Sequence, residues 1–263
     1  MEQSKIIKMI EINPMIIKDI EDPTEEMKKL ALTKDGMLLR YINNPTNEML
    51  VLAINNNSKC IQYINNPSEE IILKSINDSW NNIQYINNPS EQVIKSAINQ
   101  KGWAIKYIDN PSEEIQLLAV DKDYDSIQYI KNPTNKVQLE AVRIKYDALR
   151  YIDSPSINTE IEAIKNNEAA INFIDDLSKE KMLLYLENNI LVIKYIEDKI
   201  SKKDLISVLK KVLSNEYVSE RYVRDFINCN VIDNMNIDKI MFIYKYGSKT
   251  AKRIAVDERL KII

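Results

Sequence analysis

The residue types that usually carry catalysis are scarce in this chain. It contains no histidine, which removes the commonest general base and a common metal ligand. Its two cysteines, Cys60 and Cys229, lie far apart, and its three glycines form no phosphate-binding loop. Acidic pairs such as Glu69 and Glu70 recur where helices are expected to begin, and there carboxylates stabilise the helix end. We therefore expect a protein that is not an enzyme.

One acidic segment is the nearest approach to a metal site. Residues 121–126, DKDYDS, carry three aspartates and are faintly similar to a calcium loop with oxygen ligands. The segment lacks the glycine and the distal glutamate of such a loop, and it spans the start of a predicted helix. Two distant cysteines also cannot supply a zinc quartet. We expect no metal and no cofactor.

Recognition is the other chemistry that these residue types could perform. Large aromatic side chains interleave with long polar ones across the middle of the chain, and such residues dominate binding hot spots. An aromatic residue on a short helix can equally fill the groove between that helix and the adjacent one. Packing is therefore the alternative interpretation. The predicted partner-binding residues are Trp80, Gln84, Trp103, Lys106, Tyr124, Gln128, Tyr146 and Arg150.

These residues are positioned by an internal repeat of 22 residues. One aromatic slot recurs at this spacing from Tyr41 to Tyr195, with Phe173 as its one departure from tyrosine. Seven of the eight prolines keep the same spacing, from Pro23 to Pro155. A fixed period of this length indicates a stacked repeat architecture.

Each repeat reads as two short helices joined by tight turns. In the repeat that begins at Tyr63, Asn66 could cap a helix with Pro67 at its first position, and Ser68 is the rival cap. A second helix is predicted over SWNNIQYI, residues 79–86, and a wheel of about 100° per residue gives it an inner and an outer arc. Ile83, Tyr85 and Ile86 fall on the inner arc, and the slot before each tyrosine falls on the outer arc.

The predicted fold is all-α: an α-solenoid of about eight two-helix repeats with a helical C-terminal region. We predict an N-terminal helical cap over residues 1–18 and the repeats over residues 19–200. Residues 201–263 read as four helices off the 22-residue period. They would form a C-terminal cap or, alternatively, a small effector or dimerisation domain.

The repeat resembles a family of short α-helical repeats found in bacterial, phage and giant-virus proteins. The family signature looks like YIxNPSEExQLxAV, and the best copies here are YIDNPSEEIQLLAV at 107–120 and YIKNPTNKVQLEAV at 129–142. The likeness covers residues 19 to about 198. It implies an architecture similar to HEAT-type and leucine-rich-variant solenoids, and it implies no activity.

The charge pattern favours a protein partner. The formal net charge is −3 and the pI is about 5.4, so no global basic field attracts nucleic acid. Residues 85–106, 107–128 and 129–150 carry net charges of +2, −5 and +3, an alternation that suits a partner with matching patches. The alternative is an RNA or DNA binder. It would use the ladder of long polar side chains in the slot before each tyrosine, such as Gln84, Lys106 and Arg150, with the aromatic rings as stacking platforms.

The expected setting is cytoplasmic. The chain shows no signal-type apolar segment and no run of 18 apolar residues, so we expect no membrane partner. Abundant Asn, Lys and Ile suggest a bacterial or phage source, where the protein could act as an inhibitor of a host complex. Its mechanism would be stoichiometric occupation of a surface.

Overall fold

The computed structural model describes residues 2–260, with side chains from residue 3 onward. This part of the chain is 75% helical and contains no strand, which confirms the predicted all-α class. It divides into two compact units, an N-terminal unit, Met1–Asn132, and a C-terminal unit, Pro133–Ile263. None of the described helices combines the length and the apolar character needed to cross a membrane.

The N-terminal unit alternates α-helices with 3₁₀-helices. Its α-helices are α1 (Glu2–Ile12), α2 (Glu25–Lys34), α3 (Asn47–Asn56), α4 (Glu69–Asp78), α5 (Glu91–Gln100) and α6 (Glu113–Lys122). Its 3₁₀-helices are Pro14–Asp19, Gly36–Tyr41, Ser58–Tyr63, Trp80–Tyr85, Gly102–Tyr107 and Tyr124–Tyr129. Helices α2 to α6 begin at intervals of 22 residues, and Pro14–Asp19 keeps the same phase.

The C-terminal unit continues this alternation and then leaves it. Its α-helices are α7 (Asn135–Ile144), α8 (Ile157–Asn166), α9 (Lys179–Asn188), α10 (Ile193–Ile196), α11 (Lys202–Leu213), α12 (Glu220–Asn228), α13 (Asn230–Asn234), α14 (Lys239–Tyr246) and α15 (Lys249–Leu260). Its 3₁₀-helices are Tyr146–Tyr151, Glu168–Phe173, Ile190–Val192 and Glu197–Lys199. The four predicted C-terminal helices correspond to α11, α12, α14 and α15, and α10 lies in the second helix predicted for the repeat that begins at Phe173, whereas α13 was not predicted.

In the repeats up to Glu168–Phe173 the second helix is a 3₁₀-helix, which differs from the α-helical periodicity used to predict its faces, and in the next repeat Ile190–Val192 passes directly into α10. The segment Trp80–Tyr85 has only six residues, and its ends are closed by bonds from Asn82 N to Ser79 O (3.1 Å) and from Ile86 N to Ile83 O (3.0 Å). A 3₁₀-helix is the form that such short pieces adopt. Its three-residue turn buries Asn82 and Ile83 and leaves Gln84 exposed.

We call the turn between the 3₁₀-helix of one repeat and the α-helix of the next the corner, residues 64–68 in the repeat that begins at Tyr63. The α-helix that follows each corner is capped by serine or threonine and not by asparagine. Ser68 accepts a hydrogen bond from Ile71 N and is the N-cap of α4. Asn66 instead adopts a left-handed backbone with φ 51°, a conformation that asparagine tolerates better than most residues. Asn66 therefore turns the chain, Pro67 lies outside the helix, and Ser68 satisfies the free N–H groups.

The core of each repeat is built around a small residue in the α-helix. That slot is fully buried and is occupied by Ala53, Ser75, Ala97, Ala119, Ala141 and Ala163. Gly102 illustrates the close approach that the slot permits, because a Cβ there would lie 2.4 Å from the Ala119 carbonyl oxygen. Buried isoleucines such as Ile76 and Ile98 follow the small residue, each contributing about 1.5–3 kcal/mol by leaving water.

In the C-terminal unit a carboxylate is buried between α8 and α9. The Glu160 side chain is only 5% exposed, and it accepts hydrogen bonds from Tyr185 Oη (2.6 Å) and Lys181 Nζ (3.0 Å). Burial and the neighbouring carboxylate raise the pKa of the Tyr185 hydroxyl, which therefore stays a donor. The contact joins two successive repeats by a charge-assisted bond.

The N-terminal unit contains a buried polar cluster between its third and fourth 3₁₀-helices. Asn82 Nδ2 donates to Ser58 Oγ (3.0 Å), to Ser75 O (3.1 Å) and to Ser75 Oγ (3.0 Å). Ser75 Oγ in turn donates to the Ser58 carbonyl oxygen at 3.0 Å, and Ser58 Oγ donates to Asp78. Asn82 occupies the inner slot that holds Ala104 and Ala148 in other repeats.

We expect Asn82→Ala to lower the free energy of unfolding by about 1–3 kcal/mol, because it removes the donor to the buried hydroxyl oxygens of Ser58 and Ser75. Urea denaturation followed by circular dichroism measures this change. Asn99→Ala, the same substitution at an exposed position of α5, is the matched control and should have little effect. Equal stability of the two variants would contradict a role for the cluster.

The neighbouring repeat places a thiol in the same inner slot, and burial raises the pKa of Cys60 to about 12. Because the folded pKa exceeds the unfolded one, the stability contributed by the neutral thiol is complete below about pH 9 and falls as the pH rises toward 12. We expect native protein to resist Ellman's reagent near neutral pH and to react fully in guanidinium chloride. Rapid labelling of native Cys60, mapped by mass spectrometry, would contradict this.

Candidate functional site

Two of the three aspartates in residues 121–126 bind neighbouring groups of the same chain. Asp123, in the segment weighed as a metal loop, accepts from Lys101 Nζ (2.8 Å) and from Gly102 N (2.7 Å). Asp125 accepts from Trp103 Nε1 at 2.7 Å. In the described residues, no group of three or more His, Cys, Asp or Glu side chains could hold a metal ion.

The predicted recognition residues fall in both units. Six of them define the aromatic strip of the N-terminal unit: Trp80, Gln84, Trp103, Lys106, Tyr124 and Gln128. Tyr146 and Arg150 belong to the C-terminal unit. The three aromatic side chains of the strip are half-buried and its three polar side chains are exposed.

Trp103 is held in place by three contacts. The Trp103 ring contacts the Tyr129 ring edge-on, with centroids 5.7 Å apart. The Lys101 ammonium nitrogen lies 4.8 Å from the Trp103 centroid. Its indole N–H is held by Asp125 in the next repeat. These contacts fix the ring between two repeats, so Trp103 contributes to packing as well as to the surface.

Lys106 lies among aromatic rings from three repeats. Its ammonium nitrogen is 4.6 Å from the centroid of Tyr107, 5.8 Å from that of Trp80 and 5.9 Å from that of Tyr129. Such contacts contribute about 0.5–1 kcal/mol each at exposed sites. Together they place a positive charge beside three aromatic rings at the strip.

The glutamines of the strip are partly engaged inside their own helices. Gln84 Nε2 donates to Asn81 O at 2.8 Å, and Gln128 Nε2 donates to Asp125 O at 2.7 Å. The prediction of a ladder of outward donors is therefore modified, because one amide hydrogen of each glutamine is used locally. Bound in this way, the side chains lie along the strip with restricted freedom.

Tyr146 and Arg150 form a smaller cluster of the same kind in the C-terminal unit. The Tyr146 ring stacks on Phe173 with centroids 6.4 Å apart, and the Arg150 guanidinium lies 4.7 Å from the Phe173 centroid. Arg150 also lies 3.8 Å from Asp147, and Lys145 lies 3.4 Å from the same carboxylate. Each unit therefore contains an aromatic ring with a cation and a carboxylate close by.

Sequence reasoning missed the role of the repeated tyrosines and of Asp125. Tyr107 and Tyr129 were assigned to the inner arc, yet both rings contact Lys106, and Tyr107 Oη donates to Asn81 at 3.0 Å. A 3₁₀ wheel, in which residues three apart share a face, aligns Tyr107 with the buried Ala104, so this slot stays on the inner side although its ring is only half-buried and contacts Lys106. The position of Asp125, one repeat after Trp103, is the signal that could have paired them.

Comparison of the chain with family models, with curated proteins and with solved structures finds no match. The resemblance to the short helical repeat family accordingly stays a prediction.

We expect the Trp103–Asp125 pair to couple two repeats energetically. In a double-mutant cycle of Trp103→Phe and Asp125→Ala, the coupling free energy should be about 1–2 kcal/mol, as for a hydrogen bond to a charged group. Urea denaturation of the four proteins measures it. A parallel cycle of Trp80→Phe with Asp125→Ala is the control, and additive effects in the first cycle would contradict the inter-repeat bond.

Proposed function

We propose that the protein is a non-enzymatic repeat scaffold that binds another protein through the aromatic strip of its N-terminal unit. The observation that carries the proposal is Lys106, an exposed cation held against the rings of Trp80, Tyr107 and Tyr129. Aromatic and cationic groups with restricted motion lose little entropy on binding, which is why they serve as interface anchors.

The surrounding acids favour a protein over a nucleic acid. Asp123 accepts from Lys101, which lies beside the strip, and Asp125 accepts from Trp103, so carboxylates border the strip as well as cations. A nucleic-acid groove needs a continuous positive track along the phosphates, whereas a protein partner can offer matching charges of both signs. Binding would act by occupying a surface of the partner, in keeping with the proposed role as an inhibitor of a host complex.

We expect Trp80→Ala combined with Lys106→Ala to weaken partner binding at least about tenfold, because the pair removes a ring and the cation held over it. The partner is first identified by affinity purification from the native host, and its affinity is then measured by calorimetry. Lys74→Ala, an exposed lysine of α4 outside the strip, is the matched control. Unchanged affinity of the double variant would contradict the proposed surface.

The salt dependence of binding separates the two kinds of partner. A fourfold rise in salt costs a nucleic-acid complex with about six phosphate contacts on the order of 10³ in affinity. We expect a much smaller loss for the protein complex. A steep salt slope, together with a shift of labelled single strands by the pure chain, would replace the protein partner by RNA or DNA.

A further inference from the structure

The corners of the N-terminal unit form a second surface that the aromatic strip does not use. A groove of about 810 Å³ lies between two successive corners and is lined by Asn65, Asn66, Asn87 and Asn88 with Tyr85. A second groove, of about 610 Å³, is lined one repeat earlier by Asn43, Asn44, Tyr63, Ile64 and Asn65. Asn65 borders both grooves, and no strip residue lines either of them.

The second asparagine of each pair has a backbone role, but the first does not. Asn44, Asn66 and Asn88 adopt left-handed backbones with φ 48°, 51° and 49°. The preceding residues, Asn43, Asn65 and Asn87, do not, and later repeats carry Asp109 and Lys131 at that position. Folding therefore does not require asparagine at the first position. The presence of asparagine there in three successive repeats needs an explanation other than backbone conformation.

The amides of the first asparagines are available to a ligand. Asn43, Asn65 and Asn87 are exposed, and within residues 2–260 their side chains make no hydrogen bond to the protein. A carboxamide presents a donor and an acceptor side by side, which matches the N–H and C=O groups of a peptide main chain. The neighbouring Tyr63, Tyr85 and Ile86 supply apolar walls.

We infer that these two grooves bind an extended peptide segment of a partner protein, in a polyproline-II conformation, with Asn43, Asn65 and Asn87 contacting its main chain. Packed helices are about 8–10 Å apart. A polyproline-II chain repeats after three residues of about 3.1 Å each, so it offers an equivalent peptide group at about this spacing. Its backbone groups have no internal partners, which leaves them free to meet the amides.

The charges of the grooves select a peptide over a nucleic acid. Among the residues that line the two grooves, Glu69 is the one charged side chain, and neither lysine nor arginine is present. A phosphate backbone would find no cation there, whereas aromatic-lined grooves with few charges are typical of polyproline-II recognition. The inference rests on the proposed function only in taking a protein as the partner.

A displayed library of linear dodecapeptides, selected on the full chain, tests the inference. Selected peptides should bind Asn65→Ala/Asn87→Ala at least about tenfold more weakly in fluorescence anisotropy, because hydrogen bonds at two repeats are lost. N-methylation of single peptide nitrogens should weaken binding at positions three residues apart. Asn99→Ala and the Trp80→Ala/Lys106→Ala variant should bind as wild type, and circular dichroism confirms that each variant is folded.

Each remaining outcome would overturn the inference. If the library yields no peptide that distinguishes the wild-type chain from Asn65→Ala/Asn87→Ala, the grooves do not bind extended peptides. If the selected peptides depend on Trp80 and Lys106 instead, the corner site fails while the aromatic strip stands. Asparagine-dependent binding of a labelled single-stranded oligonucleotide would replace the peptide by a nucleic acid.

Discussion

The fold depends on contact between successive repeats, because neither helix of a repeat is stable alone. An isolated α-helix of ten residues is marginal in water, and a six-residue 3₁₀-helix is weaker still. Each repeat therefore becomes stable only when its buried arc meets the next repeat. This requirement explains the constant interval of 22 residues, since an insertion in one repeat would rotate its apolar arc away from its neighbour. It also explains why the slot at Ala97 and Ala119 stays small, because a larger side chain there would hold the next repeat away.

Polar contacts between repeats add specificity to this apolar stacking. Apolar arcs that repeat almost identically could pair in the wrong register, and a buried hydrogen bond discriminates against such a slip because it leaves groups unpaired. The cluster of Ser58, Ser75 and Asn82 has this character, since each member replaces a residue that is alanine or glycine in another repeat. Glu160 and Tyr185 make a comparable contact in the C-terminal unit.

The sequence was sufficient to predict the class of fold, the period of the repeat and the four long C-terminal helices, because all of these follow from spacing. It was insufficient at the corner, where Asn66 and Ser68 both favour capping and only the backbone conformation decides between them. The faces of the second helix were predicted with an α-helical period, whereas in the 3₁₀-helix Trp80 lies three residues before the buried Ile83 and shares its face, which explains why this ring is half-buried. The engagement of Gln84 and Gln128 with their own helices was also missed, because a polar side chain in an outer slot does not reveal its partners.

The corner leaves two sets of positions in the N-terminal unit free of backbone demands: those of the aromatic strip and those of the asparagine grooves. A left-handed Asn66 and a capping Ser68 meet the demands of the backbone, so the residue before them is released from folding and can vary. The 3₁₀-helix that precedes each corner is likewise fixed by its inner residues, such as Ile83 and Ile105, which leaves its outer slots free to vary. A repeat of this kind separates the positions that maintain the stack from those that can vary between repeats. Trp80, Lys106 and the amides at Asn43, Asn65 and Asn87 lie in slots of the second kind, and their chemistry is the basis of the two binding proposals.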